Sequence, residues 1–347
     1  MERLPTELMA QVVTYSNKST IHSFTIVSPK YRGIAQPLLF RRISISSMAG
    51  KRLALFVERM ESSSQFATMI KILIITAPFT TILLRRLFAV VPDLEELSMH
   101  CEVANFLLSP HHFPNLRRLH FLASGPEVFN DVVARFISCH KVLDNLEVLF
   151  PPKHFTSDSA TLSMPPLAES ASSGVDCLVT YHGPRGLLHL LTPNSKMKHL
   201  TSSQQLDEKT LRKLSSAVSG KLLSLIINDT EDPFKSKTLP SPIIPSLFPT
   251  LRSVAWLSVD IQSTSIVDQL PHLRRVWFTS RQAWKLPESV EAFVSKIQEL
   301  SDRETRPLQE IRVYAPEARL RPLTYSRASI NSPWELETGF PIVPSVG

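Results

Sequence analysis

The chain has 347 residues, 43% of them hydrophobic, enough for one large core or for a small module joined to a larger domain. Its 38 Lys and Arg outnumber 31 Asp and Glu for a formal charge of +7, yet they fall as isolated pairs (Arg41-Arg42, Arg85-Arg86, Arg117-Arg118, Arg274-Arg275), so nucleic acid is not an expected partner. Cys101, Cys139 and Cys177 are too far apart for a disulfide framework or zinc ribbon, no apolar leader follows Met1, and the greasiest run, Ile72 to Leu84, is broken by Pro78; the expectation is a reducing compartment, cytosol or nucleus, with no membrane span.

Residues 1–45 predict a short helical module. Leu4-Pro5-Thr6-Glu7-Leu8 opens it, with Pro5 in the first turn, where no donor is lost, and Glu7 near the positive end of the helix dipole. Leu8, Met9, Val12 and Val13 recur at helical spacing and predict one apolar stripe. A second periodic stretch carries Ile21, Phe24, Val27 and Tyr31, and Pro37 is expected to end or restart it. Three short helices in roughly forty residues bury too little to stand alone. The module must lie on the rest of the chain, on a partner, or on both.

The pattern LPxELxxxVV…VSxxYRxxAxPLLFRxI over residues 3–45 resembles an F-box, in the variant common among fungal F-box proteins. The resemblance implies a Skp-type adaptor seated on the first helix and hung from a cullin–RING ubiquitin ligase. Its contact positions would be Leu4, Pro5, Leu8, Val12, Val13, Val27 and Tyr31. Tyr31 stands where many members have Trp, and Thr20-Ile21 replaces a frequent Asp-Leu. The alternative is a helical cap on a repeat scaffold with no ligase role.

From residue 46 to 315 the spacing Leu-x-x-Leu-x-Leu recurs, which is the spacing of a leucine-rich repeat. Clear copies are Leu94/Leu97/Met99, Leu116/Leu119/Phe121, Leu222/Leu225/Ile227, Leu251/Val254/Trp256, Leu273/Val276/Phe278 and Leu308/Ile311/Val313. Weaker ones are Met69/Ile72/Ile74, Leu146/Leu149, Leu178/Tyr181 and Met197/Leu200. Pro92, Pro114, Pro249 and Pro271 lead four of them and are expected at the beginning of the strands. Amphipathic helices lie between: Phe129 to Ile137, Leu211 to Val218 after Asp207-Glu208, and Val290 to Leu300 within Glu288–Arg303. The expected fold is therefore α/β: a three-helix F-box followed by a right-handed leucine-rich-repeat solenoid with one parallel strand per repeat. A generic α/β fold is the alternative.

Two stretches do not repeat, 151–176 (Ser, Pro, Ala) and 230–249 (Pro, Lys), and both are expected to be loop insertions. Residues 316–347 regain proline, lose periodicity, and are expected to be a C-terminal cap or tail.

No Walker loop, nucleophile elbow, His-Glu-x-x-His or Cys-x-x-Cys is present, so neither covalent chemistry nor a cofactor or metal is expected. The adjacent pairs His100-Cys101 and Cys139-His140 are expected to point apart, and the histidines to be ordinary polar residues. In such a repeat the residues flanking the second and third apolar positions line the open, concave face. These are Glu96, Ser98 and His100; Arg118 and His120; Thr180 and His182; Arg275 and Trp277; Arg312 and Tyr314. The expected target-binding set is His100, Arg118, His120, Arg275, Trp277, Arg312 and Tyr314, with Trp277 beside Arg275 as the leading anchor. Trp277 covered by a neighbouring element is the alternative, and Trp256 is expected in the core. The target protein is not legible.

Overall fold

In the computed structural model the described residues are 5–45, 50–76, 81–100, 113–122, 136–137, 139–149, 177–183, 188, 195–202, 206–227, 243–258, 261–279, 287–303, 307–314 and 323–337. Leu4, Cys101, the insertion at 151–176, most of that at 230–249 and both ends of 316–347 lie outside them. The described residues fall into two compact units, the first from 5 to 149 and the second from 177 to 337.

The first unit opens with α1 (Thr6–Thr14), α2 (Lys18–Val27) and α3 (Pro29–Phe40). Asn17 starts α2, its Oδ1 accepting the Thr20 N–H at 2.9 Å. Ser28 does the same for α3, its Oγ accepting the Tyr31 N–H at 3.3 Å, with Pro29 as the first helical residue. The break in the second periodic stretch is thus at Ser28–Pro29, not at Pro37, which sits inside α3. The physical reason is that a residue preceding proline is driven into extended backbone, as Ser28 is (φ −158°, ψ 158°), and it carries the capping hydroxyl as well. Pro37, in the last turn but one, removes only one donor. Val13, Ile21 and Ala35 form the module's core, with Phe24, Ile34, Leu38 and Leu39 packed on it. Tyr31 is buried at 5.8 Å from the Phe24 ring, and its hydroxyl has no hydrogen-bond partner among the described residues.

The rest of this unit alternates strand and helix: β1 (Arg42–Ile45), α4 (Gly50–Ser62), α5 (Ser64–Met69), β2 (Ile72–Ile75), α6 (Thr81–Val90), β3 (Glu96–His100), β4 (Arg118–Leu122) and β5 (Asn145–Leu149). Neighbours in sequence pair in parallel, β1 to β5 in order. Register puts Ile43, Leu73, Leu97, Leu119 and Leu146 in one row and Ile45, Ile75, Met99, Phe121 and Val148 in the next. Apart from the half-buried Ile43, every member of both rows is buried. The alternate residues occupy the opposite face, as the period of two requires.

The second unit contains β6 (Thr180–Gly183), β7 (His199–Ser202), α7 (Glu208–Val218), β8 (Ser224–Ile227), α8 (Ile244–Leu247), β9 (Ser253–Ser258), α9 (Ile261–Gln269), β10 (Arg275–Thr279), α10 (Pro287–Arg303), β11 (Glu310–Tyr314), β12 (Leu323–Ser326) and β13 (Glu335–Glu337). Strands β6 to β11 are parallel and in order; β12 and β13 return antiparallel. Tyr181, Leu200, Leu225, Val254, Val276 and Ile311 make one buried row. Asp207 caps α7 through the Thr210 N–H at 2.7 Å, and Leu211, Leu214 and Val218 form its buried face.

Three expectations are corrected here. In β9 one extra residue enters between Val254 and the next paired position, so Leu257, not Trp256, stands opposite Phe278. The C-terminal end of the 230–249 stretch is not a loop: α8 forms there, and Ile244, Pro245 and Phe248 are buried. The repeat prolines do not begin strands. Each sits four residues ahead of its strand, and for Pro114, Pro249 and Pro271 the flanking bonds Leu116 N–H to Phe113 O, Leu251 to Phe248 and Leu273 to Leu270 close a turn around it. Proline's fixed φ suits the second position of such a turn.

One contact recurs from strand to strand. The residue just before a strand offers a carbonyl that accepts two consecutive N–H groups from the start of the next strand. Arg41 O accepts from Lys71 and Ile72 at 2.9 Å each, and Arg252 O from Arg274 and Arg275 at 2.7 and 3.0 Å. Lys71, Glu95 and Arg117 repeat it in the first unit, and Val179, Lys198, Leu223 and Arg274 in the second.

The antiparallel end of the second unit is fastened by a buried Arg327. Its Nε donates to Leu308 O at 2.7 Å, Nη2 to Ser301 Oγ at 2.7 Å, and Nη1 to Asp302 Oδ1 at 2.5 Å and Ile330 O at 3.2 Å. The guanidinium also lies 4.5 Å from the Trp334 ring centroid.

Candidate functional site

The helical module divides its apolar residues between two faces. Met9 and Val13 point inward, while Leu8 and Val12 on α1 and Tyr15 just after it are 47%, 52% and 90% exposed. Spaced i, i+4 and i+7, they share the outer face of one helix. Ile26 and Val27, at the end of α2, are 67% and 68% exposed. Of the expected adaptor contacts, Pro5, Leu8, Val12 and Val27 are therefore at the surface. Val13 and Tyr31 are not: both are spent on packing inside the module and present nothing to a partner. Leu4 lies outside the described residues. One apolar stripe on α1 was expected; there are two, because four residues at 8, 9, 12 and 13 span more of the helix circumference than α3 covers.

Beside the module a cavity of about 500 Å³ opens, lined by Lys18, Ser19 and His22 of α2, Leu39 and Phe40 of α3, Arg42, Ile43 and Ser44 of β1, and Phe56 of α4. Its lining holds three basic side chains and no carboxylate.

The open sheet face carries the expected polar residues, already in contact with one another. In the first unit Arg118 Nη1 lies 3.4 Å from Glu96 Oε2, and His120 Nδ1 lies 2.7 Å from Glu147 Oε2. Both pairs join neighbouring strands at matched register positions. His100 is the last residue of β3 and pairs with Leu122 in the backbone register.

In the second unit Trp277, Arg312 and Glu310 form a closed set. The Trp277 Nε1–H donates to Glu310 Oε1 at 2.8 Å, and the Arg312 guanidinium carbon is 4.8 Å from the Trp277 ring centroid. Arg312 Nε sits 2.8 Å from the same Glu310 oxygen, off the line of a hydrogen bond. Trp277 is half-buried, its N–H and one ring face engaged, so it is a braced anchor and not a free one. Arg275 is exposed, and Tyr314 pairs with Thr279 in the backbone register.

Among the described residues four protonation equilibria are shifted, those of Glu61 and Arg86 as one pair. The Arg86 guanidinium, hydrogen-bonded to Glu61, holds that carboxyl below its ordinary range. Burial raises Tyr181 well above the usual phenol value. Burial, with the neighbouring Lys198 charge, lowers His199. None of these belongs to a nucleophile–base constellation. Cys139 is exposed while His140 is buried, so the two do point apart. His140 was missed by sequence reasoning: Nδ1–H donates to Phe136 O at 2.6 Å and Nε2 accepts the Phe113 N–H at 3.1 Å, which ties two turns together. Among the described residues there is no group of three His, Cys, Asp or Glu able to hold a metal, and no helix long and apolar enough to cross a membrane.

The arrangement offers docking surfaces: an apolar helical face, a basic cavity and a polar sheet face. Compared with known proteins, the chain matches no family model and no curated protein.

Proposed function

We propose that this chain is a non-catalytic substrate receptor of a cullin–RING ubiquitin ligase. The helical module holds a Skp-type adaptor, and the coils form a leucine-rich-repeat solenoid whose open face holds a target protein. The observation that carries this reading is the outer face of α1 and α2. Leu8, Val12, Tyr15, Ile26 and Val27 are exposed beside a core the module has already built from Val13, Ile21 and Ala35. A helix needs one apolar stripe to fold onto its own chain; a second stripe left in water fits a partner's groove. The coil pattern agrees with the solenoid, since each strand meets only its neighbours in sequence and repeats the same turn and carbonyl contact. Receptor and ligase then act by proximity, holding target lysines near activated ubiquitin.

The test is retention of a Skp-type adaptor by the purified chain. Wild type should hold it, and Leu8→Asp or Val12→Asp should weaken it by about thirtyfold or more, as for an anchor worth about 2 kcal/mol. Both side chains are exposed, so circular dichroism and melting should stay unchanged. If wild type fails to bind, or the two variants bind as well as wild type, the ligase role is lost.

A further inference from the structure

We infer that the N-terminal rim of strands β7 to β10 is a docking rail for an acidic, extended peptide segment. The repeated carbonyl contact stacks Lys198, Leu223 and Arg252 directly on one another and Arg274 after them, one residue per coil. Arg275 follows as the first residue of β10, and Lys196 and Lys221 flank the row in the turns that lead to β7 and β8. All six cations are exposed, and none has an ion pair among the described residues. The one carboxylate that starts a strand here, Glu310, is engaged by Trp277 and Arg312; Asp268 and Glu299, on the helices leading to this rim, are also engaged.

The first unit shows what the same positions look like when the fold neutralises them. There the row reads Arg41, Lys71, Glu95, Arg117 and Asp144, and Arg41 pairs with Glu95 at 3.4 Å while Lys71 pairs with Asp93 at 3.2 Å. Arg252 and Arg274 stand side by side at the starts of neighbouring strands, with Lys198 one strand beyond Leu223, and like charges so placed cost stability, so leaving them bare points to an anion supplied from outside. His199 reports the same field, since Lys198 helps hold it uncharged.

The geometry favours a peptide. Strands lie about 4.8 Å apart, so Lys198 to Arg274 spans about 14 Å, which two or three carboxylates on one side of an extended chain would match at ~6.8 Å repeats. A single nucleic-acid strand also needs aromatic platforms for its bases. Trp277, in β10, has its N–H and one ring face already taken. This rests on the reading of the second unit as a target-binding surface, but not on the adaptor.

The experiment uses the full chain and fluorescence anisotropy with a labelled oligoglutamate peptide, and an oligothymidylate of equal length as the second probe. Oligoglutamate should bind, weaken as salt rises, and bind roughly tenfold or more weakly to Lys198→Glu/Arg252→Glu/Arg274→Glu. The milder Lys198→Ala/Arg252→Ala/Arg274→Ala variant should lose less, and Arg41→Glu/Arg117→Glu should lose nothing. Adaptor retention by the rim variants should match wild type, which separates this result from the ligase reading and shows the module intact. Undiminished oligoglutamate binding in both rim variants, or no binding by wild type, overturns the proposal. Rim-dependent binding that favours oligothymidylate overturns the peptide assignment and makes the rim a nucleic-acid contact.

Discussion

At the scale of single residues, Leu73 and Ile75 are buried in β2 while Ile72 and Ile74, the pair named by the leucine spacing, are half-buried. In β5 Val148 is buried where Leu149 was expected, and Leu149 is exposed; apart from Leu251/Val254/Trp256, the clear triplets kept their parity. Leu119 and Leu225 are fully buried, as their places in the leucine triplets predict, and Arg118 between such leucines is exposed. Tyr31 is different. Its apolar ring places it on a helix face in the sequence, but only the packing reveals that it lies under Phe24 with its hydroxyl buried and unpartnered among the described residues. Burying such a group costs about 1–3 kcal/mol. Tyr31→Phe should therefore leave stability equal or raise it by about 1 kcal/mol, read from urea unfolding of the purified chain. A loss of stability would mean the hydroxyl has a partner after all. His140 could not be found from its spacing, because the Phe113 N–H that its Nε2 accepts comes from a turn 27 residues away that only the fold brings beside it.

Among elements, the strands were the easiest to foresee and their ends the hardest. The alternation of leucines located ten of the strands, whereas the extra residue in β9 shifted Trp256 out of the row it was expected to fill. A bulge depends on how one strand sits against the next, which no single strand's pattern encodes. The antiparallel return of β12 and β13 was equally hidden, since Arg327 there meets Ser301 and Asp302 of α10, Leu308 just before β11, and Ile330 in its own turn. Arg327→Ala should cost about 2–4 kcal/mol, because a buried guanidinium with several acceptors is lost at once. Arg327→Lys should recover little, since one ammonium cannot reach the same four acceptors. Hydrogen exchange should rise first in 323–337. Unchanged exchange there would remove Arg327 from the role of fastener.

For the molecule as a whole, the sequence suggested scattered charge and the fold reorganises it. Lys198, Arg252 and Arg274 are far apart along the chain, and nothing in a charge count foretells that successive coils set them in one row. The exposed apolar face of α1 was more legible, because helical spacing alone marks Leu8 and Val12 as neighbours. Stability should be just as local as the contacts. Leu225→Ala, in the buried row of the second unit, should cost about 2–5 kcal/mol. Its effect on hydrogen exchange should be largest in β8, smaller in β7 and β9, and least in β11 to β13. Uniform acceleration across the unit would mean that it melts as one block and not coil by coil.

The paired donors at the start of the described parallel strands have a further consequence for what such a sequence can tolerate. Proline has no N–H to give, so neither residue of a donor pair, such as 71–72, 223–224 or 274–275, can be proline, and among 27 prolines none occupies one. The spacing from an accepting residue to the pair that donates to it is free, from 19 residues between Val179 and Lys198 to 35 between Arg274 and Gln309. Length can therefore be added or trimmed on the outer loops without losing step, provided that each new turn still begins with two amides in succession.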